Sequence, residues 1–457
     1  MASRTIDRRA FIGAATLVGS MLPAQSPSPF RGHSRFDRRP NVILINADDL
    51  GYGDLGCYGS KIPTPNLDAM AGEGVLFSRF QSASPVCSPS RAALLTGRYS
   101  TRVGVPKVLF PNDQTGLPDS ETTIAQMLKA ADYSTMCVGK WHLGSQPQFL
   151  PTNRGFDAYF GLPYSNDMLP LPLLHNTDVM EQPANLNTLT LRYTQQAVSF
   201  ITRSKDSPFF LYMAHSFPHI PLAASQRFRG KSGFGLYGDA VAEIDWSVGQ
   251  VLRAIQNSGI DGNTLVLFSS DHGPWYLGSP GPLRGRKGET WEGGTRVPLI
   301  ARAPGLIPPG MVQSGIASAL DILPTLAKLC NAPLPANPLD GVDITPLLTG
   351  AQQTVDRDLL VYFDGWEGWN LQAARLGKWK LHVSRYDAAP LWGPDPPGGR
   401  MNLPLPTPEL YDTEADPGES YNLAIDNPQI VADIRARIEA LLPTFPDRVN
   451  RAWQQTM

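Results

Sequence analysis

Four apolar runs of strand length each lead into groups that could do chemistry. Val42-Ile43-Leu44-Ile45 is followed by Asn46-Ala47-Asp48-Asp49, and Ser134–Val138 by Gly139-Lys140-Trp141-His142. Phe209–Met213 is followed by His215 and His219, and Thr264–Ser269 by Ser270-Asp271-His272-Gly273. In open α/β sheets ligands bind beyond the carboxyl ends of the strands, so these four ends should converge on one edge. Singly, an Asp pair is a solvated turn and a histidine a structural residue; four coincidences at one edge describe a site. Asp48, Asp49 and Asp271 suit a hard divalent cation held by oxygen. His272 would add a nitrogen ligand, less usual for calcium or magnesium. Three close carboxylates without a cation repel until one takes up a proton, so a metal is favoured over a proton-sharing acid pair.

A second constellation is Pro85-Val86-Cys87-Ser88-Pro89-Ser90-Arg91 running on to Leu94-Leu95-Thr96-Gly97-Arg98. Pro89 suits an early helical position and Gly97 a helix end. Cys87 then lies at a helix N-terminus, where unpaired N–H groups and the dipole favour an anion. Arg91, one turn on, adds a cation, and a cysteine so placed has a lowered thiol pKa. Cys87 reads either as a capping residue at a turn or as a nucleophile for an anionic substrate. Cys57, Cys137 and Cys330 form no CxxC pair, which argues against a zinc knuckle. Cys137 and Cys330 fall in apolar stretches and read as inert core.

These groups need a scaffold. Helical patterns at 66–73, Glu121–Ala131, Leu189–Thr202, Gly238–Gln256 and Ala319–Leu329 alternate with the strands above and with Val75–Phe80. Such alternation implies an α/β fold with a mostly parallel sheet covered on both faces. After about residue 355 the texture changes. Leu359–Phe363, Leu371–Leu376 and Trp379–Val383 read as short antiparallel strands, with a terminal helix near 428–442. The expected organisation is a catalytic domain at 40–355 and a small α+β subdomain at 356–457. A net charge of -2, from 39 Lys+Arg against 41 Asp+Glu, supplies no field for nucleic acid. With 42% hydrophobic and 18% charged residues the chain is too apolar to be disordered. No apolar run is long enough for a transmembrane helix. The 42 Gly and 43 Pro imply long, stiff loops.

Cys87-Ser88-Pro89-Ser90-Arg91 with Leu95-Thr96-Gly97-Arg98 resembles the signature of the sulfatase family, whose cysteine is oxidised to Cα-formylglycine. Further blocks match in order. They are Pro40 to Asp54 around the Asp pair, Gly139 to Gly144, and Pro163-Tyr164-Ser165-Asn166-Asp167. His219-Ile220-Pro221, Gly285 to Gly294 around Lys287, and Glu409 to Leu423 complete the set. The likeness spans about 40 to 425 and lies closest to arylsulfatase A-like and N-acetylgalactosamine-6-sulfatase-like members. It implies an alkaline phosphatase-like fold, a large mixed sheet sandwiched by helices. It also implies hydrolysis of aryl sulfates or sulfated carbohydrates with release of inorganic sulfate.

The resemblance further implies roles. Cys87, as the hydrated aldehyde, would attack sulfur with one hydroxyl and expel sulfate through the other, dividing one hard step into two. Ca2+, with Mg2+ as the alternative, would sit on Asp48, Asp49, Asp271, His272 and the oxygen made at Cys87. Asp271 would take the nucleophile's proton. Arg91, Lys140 and Lys287 would neutralise the sulfuryl oxygens. His219 with Lys287 would protonate the leaving alcohol, and His142 would take the second hydroxyl's proton. Ser165 would touch the substrate; His215 is left structural. In such enzymes His272 is often asparagine, which bears on metal preference. A phosphonate or phosphate ester hydrolase of the same superfamily is the alternative; the Lys140–His142 and Lys287 blocks favour sulfate. An inactive sulfated-glycan-binding protein would predict altered site residues, and all are intact.

Asp7-Arg8-Arg9 ahead of the uncharged stretch Phe11–Leu22 looks like a twin-arginine export signal at 1–24, followed by a Pro- and Ser-rich tether at 25–39. The implied partners are the twin-arginine translocase, a formylglycine-generating enzyme and a sulfated small molecule or glycan, with a periplasmic or secreted destination. Substrate choice should lie in loops near 104–118, 162–190, 274–286 and 385–407. Trp275, Tyr276, Trp366 and Trp369 are candidates to stack on a sugar or arene.

Overall fold

The continuous apolar run Val42–Ile45 is buried on both sides, and that sets the architecture. In this computed structural model, which describes Phe36 and residues 38–389 and 400–456, the run lies within strand β1, Asn41–Ala47. Val42 and Leu44 join one core layer, Ile43 and Ile45 the other. Each such side chain contributes roughly 1.5–3 kcal/mol on burial, so neither face can be left wet.

The other strands of this sheet are β2 Val75–Gln81, β3 Ser134–Gly139, β4 Ala158–Gly161, β5 Leu173–His175, β6 Asp178–Glu181, β7 Phe209–Ala214, β8 Thr264–Ser270, β9 Arg296–Arg302, β10 Met311–Gln313 and β11 Ala317–Ser318. The order is β10-β2-β9-β8-β1-β7-β3-β4-β5-β6, with β11 also on β2. The run β8-β1-β7-β3-β4 is parallel. β9 is antiparallel to β8 and β2, and β4-β5-β6 is an antiparallel meander. β1, β3, β7 and β8 therefore end at one edge, as the polar residues after them require.

Helices Cys87–Thr96, Ile124–Lys129 and Ile322–Cys330 cover one face. Pro65–Gly72, Leu189–Ser204 and Gly235–Asn257 cover the other. β9 was not anticipated: its apolar run contains Pro298, which cannot donate to a ladder and disguises the strand. The Ala319–Leu329 pattern begins as a 3-10 turn, Ala319–Asp321, before the α-helix.

The C-terminal sheet is β12 Leu360–Phe363, β13 Leu371–Leu376, β14 Trp379–Tyr386 and β15 Asn402–Asp412, antiparallel throughout. β15 lay outside the sequence reading. Ile434 and Ile438 of helix Pro428–Leu441, with Val449 and Trp453 of helix Asp447–Thr456, share a core with this sheet. All four cysteines are free. Among the described residues no helix is long and apolar enough to cross a membrane. The export signal expected at 1–24 lies outside the described residues, as does the 25–39 tether apart from Phe36, Arg38 and Arg39.

Candidate active site

The site is assembled from the four strand ends and the helix that begins at Cys87. Val86, extended at φ -141 and ψ 160, offers no side-chain cap, so the first N–H groups of Cys87–Thr96 are left for an anion. Every residue of that helix is buried. Asp49 and His142 adopt left-handed backbone angles, φ 64 and 61, that turn each chain sharply after its strand.

Asp48 Oδ2 accepts from Lys140 Nζ at 2.6 Å, and Lys140 Nζ also donates to Ser165 Oγ at 3.0 Å. Asp48 Oδ1 is buried with no hydrogen-bond partner among the described residues. Asp49 accepts from Lys287 Nζ at 2.8 and 3.1 Å. His272 Nε2 lies 3.3 Å from Cys87 Sγ and 3.4 Å from Asp49 Oδ1. His272 Nδ1 faces the Gly273 carbonyl at 2.9 Å, so Nδ1 carries hydrogen and Nε2 points into the cluster. One ligand atom from each of Asp48, Asp49, Cys87 and His272 lies within 4.8 Å of the others.

Asp271 stands beside this group. Its Oδ2 takes both Nε and Nη2 of Arg91, at 3.1 and 2.9 Å. Its Oδ1 accepts the N–H groups of Asp49 and His272. Arg91 also donates to the Lys140 carbonyl at 3.0 Å and lies 3.5 Å from Asp48. The guanidinium is thus engaged by Asp271 and the Lys140 carbonyl, and Arg91, like Lys140, is not among the residues that line the cavity.

The charges tune one another. Burial alone would raise the Cys87 thiol, but Lys140, Lys287 and His272 outweigh it and hold it well below its ordinary value. Burial opposes the His272 imidazolium, yet Asp271 and Cys87 push it up to about 9. Burial and Lys140 hold His142 below its ordinary value, so it is neutral. His142 Nε2 meets the Leu109 carbonyl at 2.9 Å; a carbonyl only accepts, so Nδ1 carries the bare lone pair. Burial and Lys287 push His219 down, Asp49 and Asp48 push it up, and the balance lies above its ordinary value.

A cavity of about 460 Å³ opens over this cluster. Of the residues expected from sequence, Asp49, Cys87, His142, Ser165, His219 and Lys287 line it. Lys140, Asp48, Asp271 and His272 are buried and are not among its lining residues. Trp275 and Trp366 line it as well, whereas Trp369 packs against the C-terminal core. Lys107, Phe110 and Met168 were not singled out, although their loops were; no local pattern says which loop side chains face inward.

The sulfatase family model matches residues 40–332, and the model for the C-terminal region of aryl-sulfatase matches 355–456. The chain belongs to the sulfatase family. It is a sulfuric ester hydrolase. This sulfatase is 40% identical to human arylsulfatase A over 91% of either chain. It is 43% identical to canine N-acetylgalactosamine-6-sulfatase, over 75% of this chain and 71% of that one. Among solved structures it resembles a Bacteroides thetaiotaomicron protein of glycosaminoglycan metabolism, with TM-score 0.80 and 30% identity over 88% of this chain and 99% of the other. It also resembles a Pseudoalteromonas sulfatase, with TM-score 0.78 and 28% identity over 90% and 91%.

Proposed function

We propose that this sulfatase hydrolyses its sulfate ester with a formylglycine made from Cys87 and a divalent cation held by Asp48, Asp49, His272 and Asp271. The observation that carries the reading is the convergence of one ligand atom each from Asp48, Asp49, Cys87 and His272 within 4.8 Å, with Asp48 Oδ1 buried there and accepting no hydrogen bond among the described residues. The oxygen-rich set suits Ca2+ or Mg2+, and a cation there would supply Lewis-acid polarisation of a sulfate oxygen. The hydrated aldehyde would supply the oxygen nucleophile.

This chain's own residues do the rest. Lys140 and Lys287 bring positive charge to where the sulfuryl group must sit. The bare Nδ1 of neutral His142 is a proton acceptor on the Cys87 side. His219, held above its ordinary value on the cavity wall, is a proton donor for the leaving oxygen. Ser165, accepting from Lys140, orients that ammonium. Arg91 locks the Asp271 carboxylate in place. The apolar wall of Phe110, Trp275 and Trp366 suits the flat face of an arene or sugar ring. The chain reaches the periplasm or the exterior through the twin-arginine route.

The test is mass spectrometry of the tryptic peptide Phe80–Arg91 after co-expression with a formylglycine-generating enzyme. Replacing CH2SH by CHO makes it about 18 Da lighter. The lighter peptide should appear together with hydrolysis of p-nitrophenyl sulfate. Activity from protein whose Cys87 is wholly unmodified would sink the reading.

A further inference from the structure

Outside the site, the densest group of buried charges among the described residues lies where the C-terminal sheet meets the Lys287 loop. Glu292, fully buried, receives Arg375 from β13 and Lys380 Nζ from β14, the latter at 3.0 Å. Gln81 Nε2 adds a third donor at 3.3 Å. Glu419, also fully buried, accepts the Glu292 N–H at 2.6 Å through one oxygen. Its other oxygen meets His382 Nε2 at 2.8 Å and Lys380 Nζ at 3.4 Å. Thr290 Oγ1 donates to Gln372 of β13 at 3.0 Å, and the Trp291 ring lies 4.3 Å from that of His382. Three consecutive residues, Thr290 to Glu292, are each gripped by the C-terminal sheet.

The other side of the same loop grips the reaction centre. Lys287 N–H donates to the Pro274 carbonyl at 3.1 Å, and Gly288 N–H to Pro85, two residues before Cys87, at 2.8 Å. Gly273, next to His272, donates to the Gly294 carbonyl at 2.9 Å. A Cβ at Gly293 or Gly294 would overlap carbonyl oxygens of the loop itself. The segment is therefore tightly packed, with the C-terminal sheet at one end and the Lys287 ammonium at the other.

We infer that Glu292 is a positioning residue for Lys287: the Arg375–Glu292–Lys380 clamp transmits the register of the C-terminal sheet to the ammonium that faces Asp49. The role rests on Lys287 acting in the reaction, as proposed above. Four such buried charges are weak evidence for stability, because desolvation cancels much of the attraction. A fixed geometry is what the clamp adds. Loss of about 1 Å in placement of a reacting group costs up to about 10²-fold in rate.

The experiment is a double-mutant cycle on the full chain, co-expressed with a formylglycine-generating enzyme and assayed with p-nitrophenyl sulfate. Glu292→Gln should lower kcat by about 10-fold or more with KM within about two-fold. In a Lys287→Ala background the same change should cost nothing further. Thr290→Val, which removes only the Gln372 contact, should give a smaller loss of kcat that Lys287→Ala also absorbs. This variant carries the test if Glu292→Gln does not fold. Thermal unfolding and the mass of the Phe80–Arg91 peptide establish that each protein is folded and equally converted. Losses that multiply with Lys287→Ala, or that fall on KM, would overturn the positioning role. Full activity in Lys287→Ala alone would instead refute the assignment of Lys287 to the reaction.

Discussion

Asp48 and Lys140 meet at 2.6 Å with neither side chain exposed to solvent, yet the other Asp48 oxygen accepts no hydrogen bond among the described residues and has Arg91 at 3.5 Å. The pair is half of a larger arrangement: Lys140 fixes the carboxylate, and one of its oxygens lies within 4.8 Å of ligand atoms of Asp49, Cys87 and His272. Burial raises the Asp48 carboxyl, and Lys140, His219 and Arg91 together more than offset it, so the group is ionised across the physiological range.

Calcium should therefore bind and stabilise. At one hundred times Kd, a ligand specific for the folded state contributes about 2.7 kcal/mol. Calorimetric titration of the chelated protein should give one site per chain, and the melting temperature should rise with added Ca2+. Asp48→Asn should remove both effects and lower kcat/KM by at least about 10²-fold. Undiminished Ca2+ binding in that variant would place the cation elsewhere.

His215 should make the fold acid-sensitive. It is fully buried, neither ring nitrogen has a hydrogen-bond partner among the described residues, and burial pushes it down to about 3. A depressed folded value contributes stability above the unfolded value of about 6.5. That stability is lost as pH falls towards 3, because the unfolded chain takes the proton first. By pH 5 the loss is about 2 kcal/mol. Urea unfolding of wild type and His215→Leu at pH 7 and pH 5 should show the variant losing less. Equal losses would remove His215 from the acid limb.

Trp366 should act on binding more than on turnover. It lines the cavity, is 42% exposed, and its backbone N–H donates to Asp364 at 3.0 Å and to Tyr386 Oη at 2.9 Å. Trp366→Ala should raise KM for aryl sulfates by about 3–10-fold, with kcat within about two-fold. Steady-state kinetics decide it; a fall in kcat at constant KM contradicts the wall role.

Gly139 should tolerate no side chain. It ends β3 at φ 106, and a Cβ there would overlap the Ala214 carbonyl oxygen, which also accepts the Lys140 N–H at 2.8 Å. Gly139→Ala should destabilise the fold by about 3 kcal/mol or more and displace Lys140. Chemical unfolding measures the first effect and the rate on p-nitrophenyl sulfate the second.

Much of the site was legible because its residues follow strands. The apolar runs before Asp48, Lys140, His215 and Asp271 are continuous, as central parallel strands are, and parallel strands put their polar sequels on one edge. Cys87 was legible because Pro89 and Gly97 bracket a helix. Arg91 shows where such reading stops. Its spacing from Cys87 predicts proximity, but whether the guanidinium faces substrate or Asp271 depends on a strand end 180 residues away.

The sequence by itself determined the alternation of elements, the sulfatase signature and which residue types gather at the sheet edge, since these depend on local periodicity and spacing. Only the tertiary structure decided that the antiparallel β9 lies between β2 and β8, and that the tautomer of His142 is set by the Leu109 carbonyl. It alone decided that Glu292 is gripped by the C-terminal sheet. Each of these depends on partners far apart in the chain, whose meeting is fixed by packing and by the need to satisfy buried polar groups.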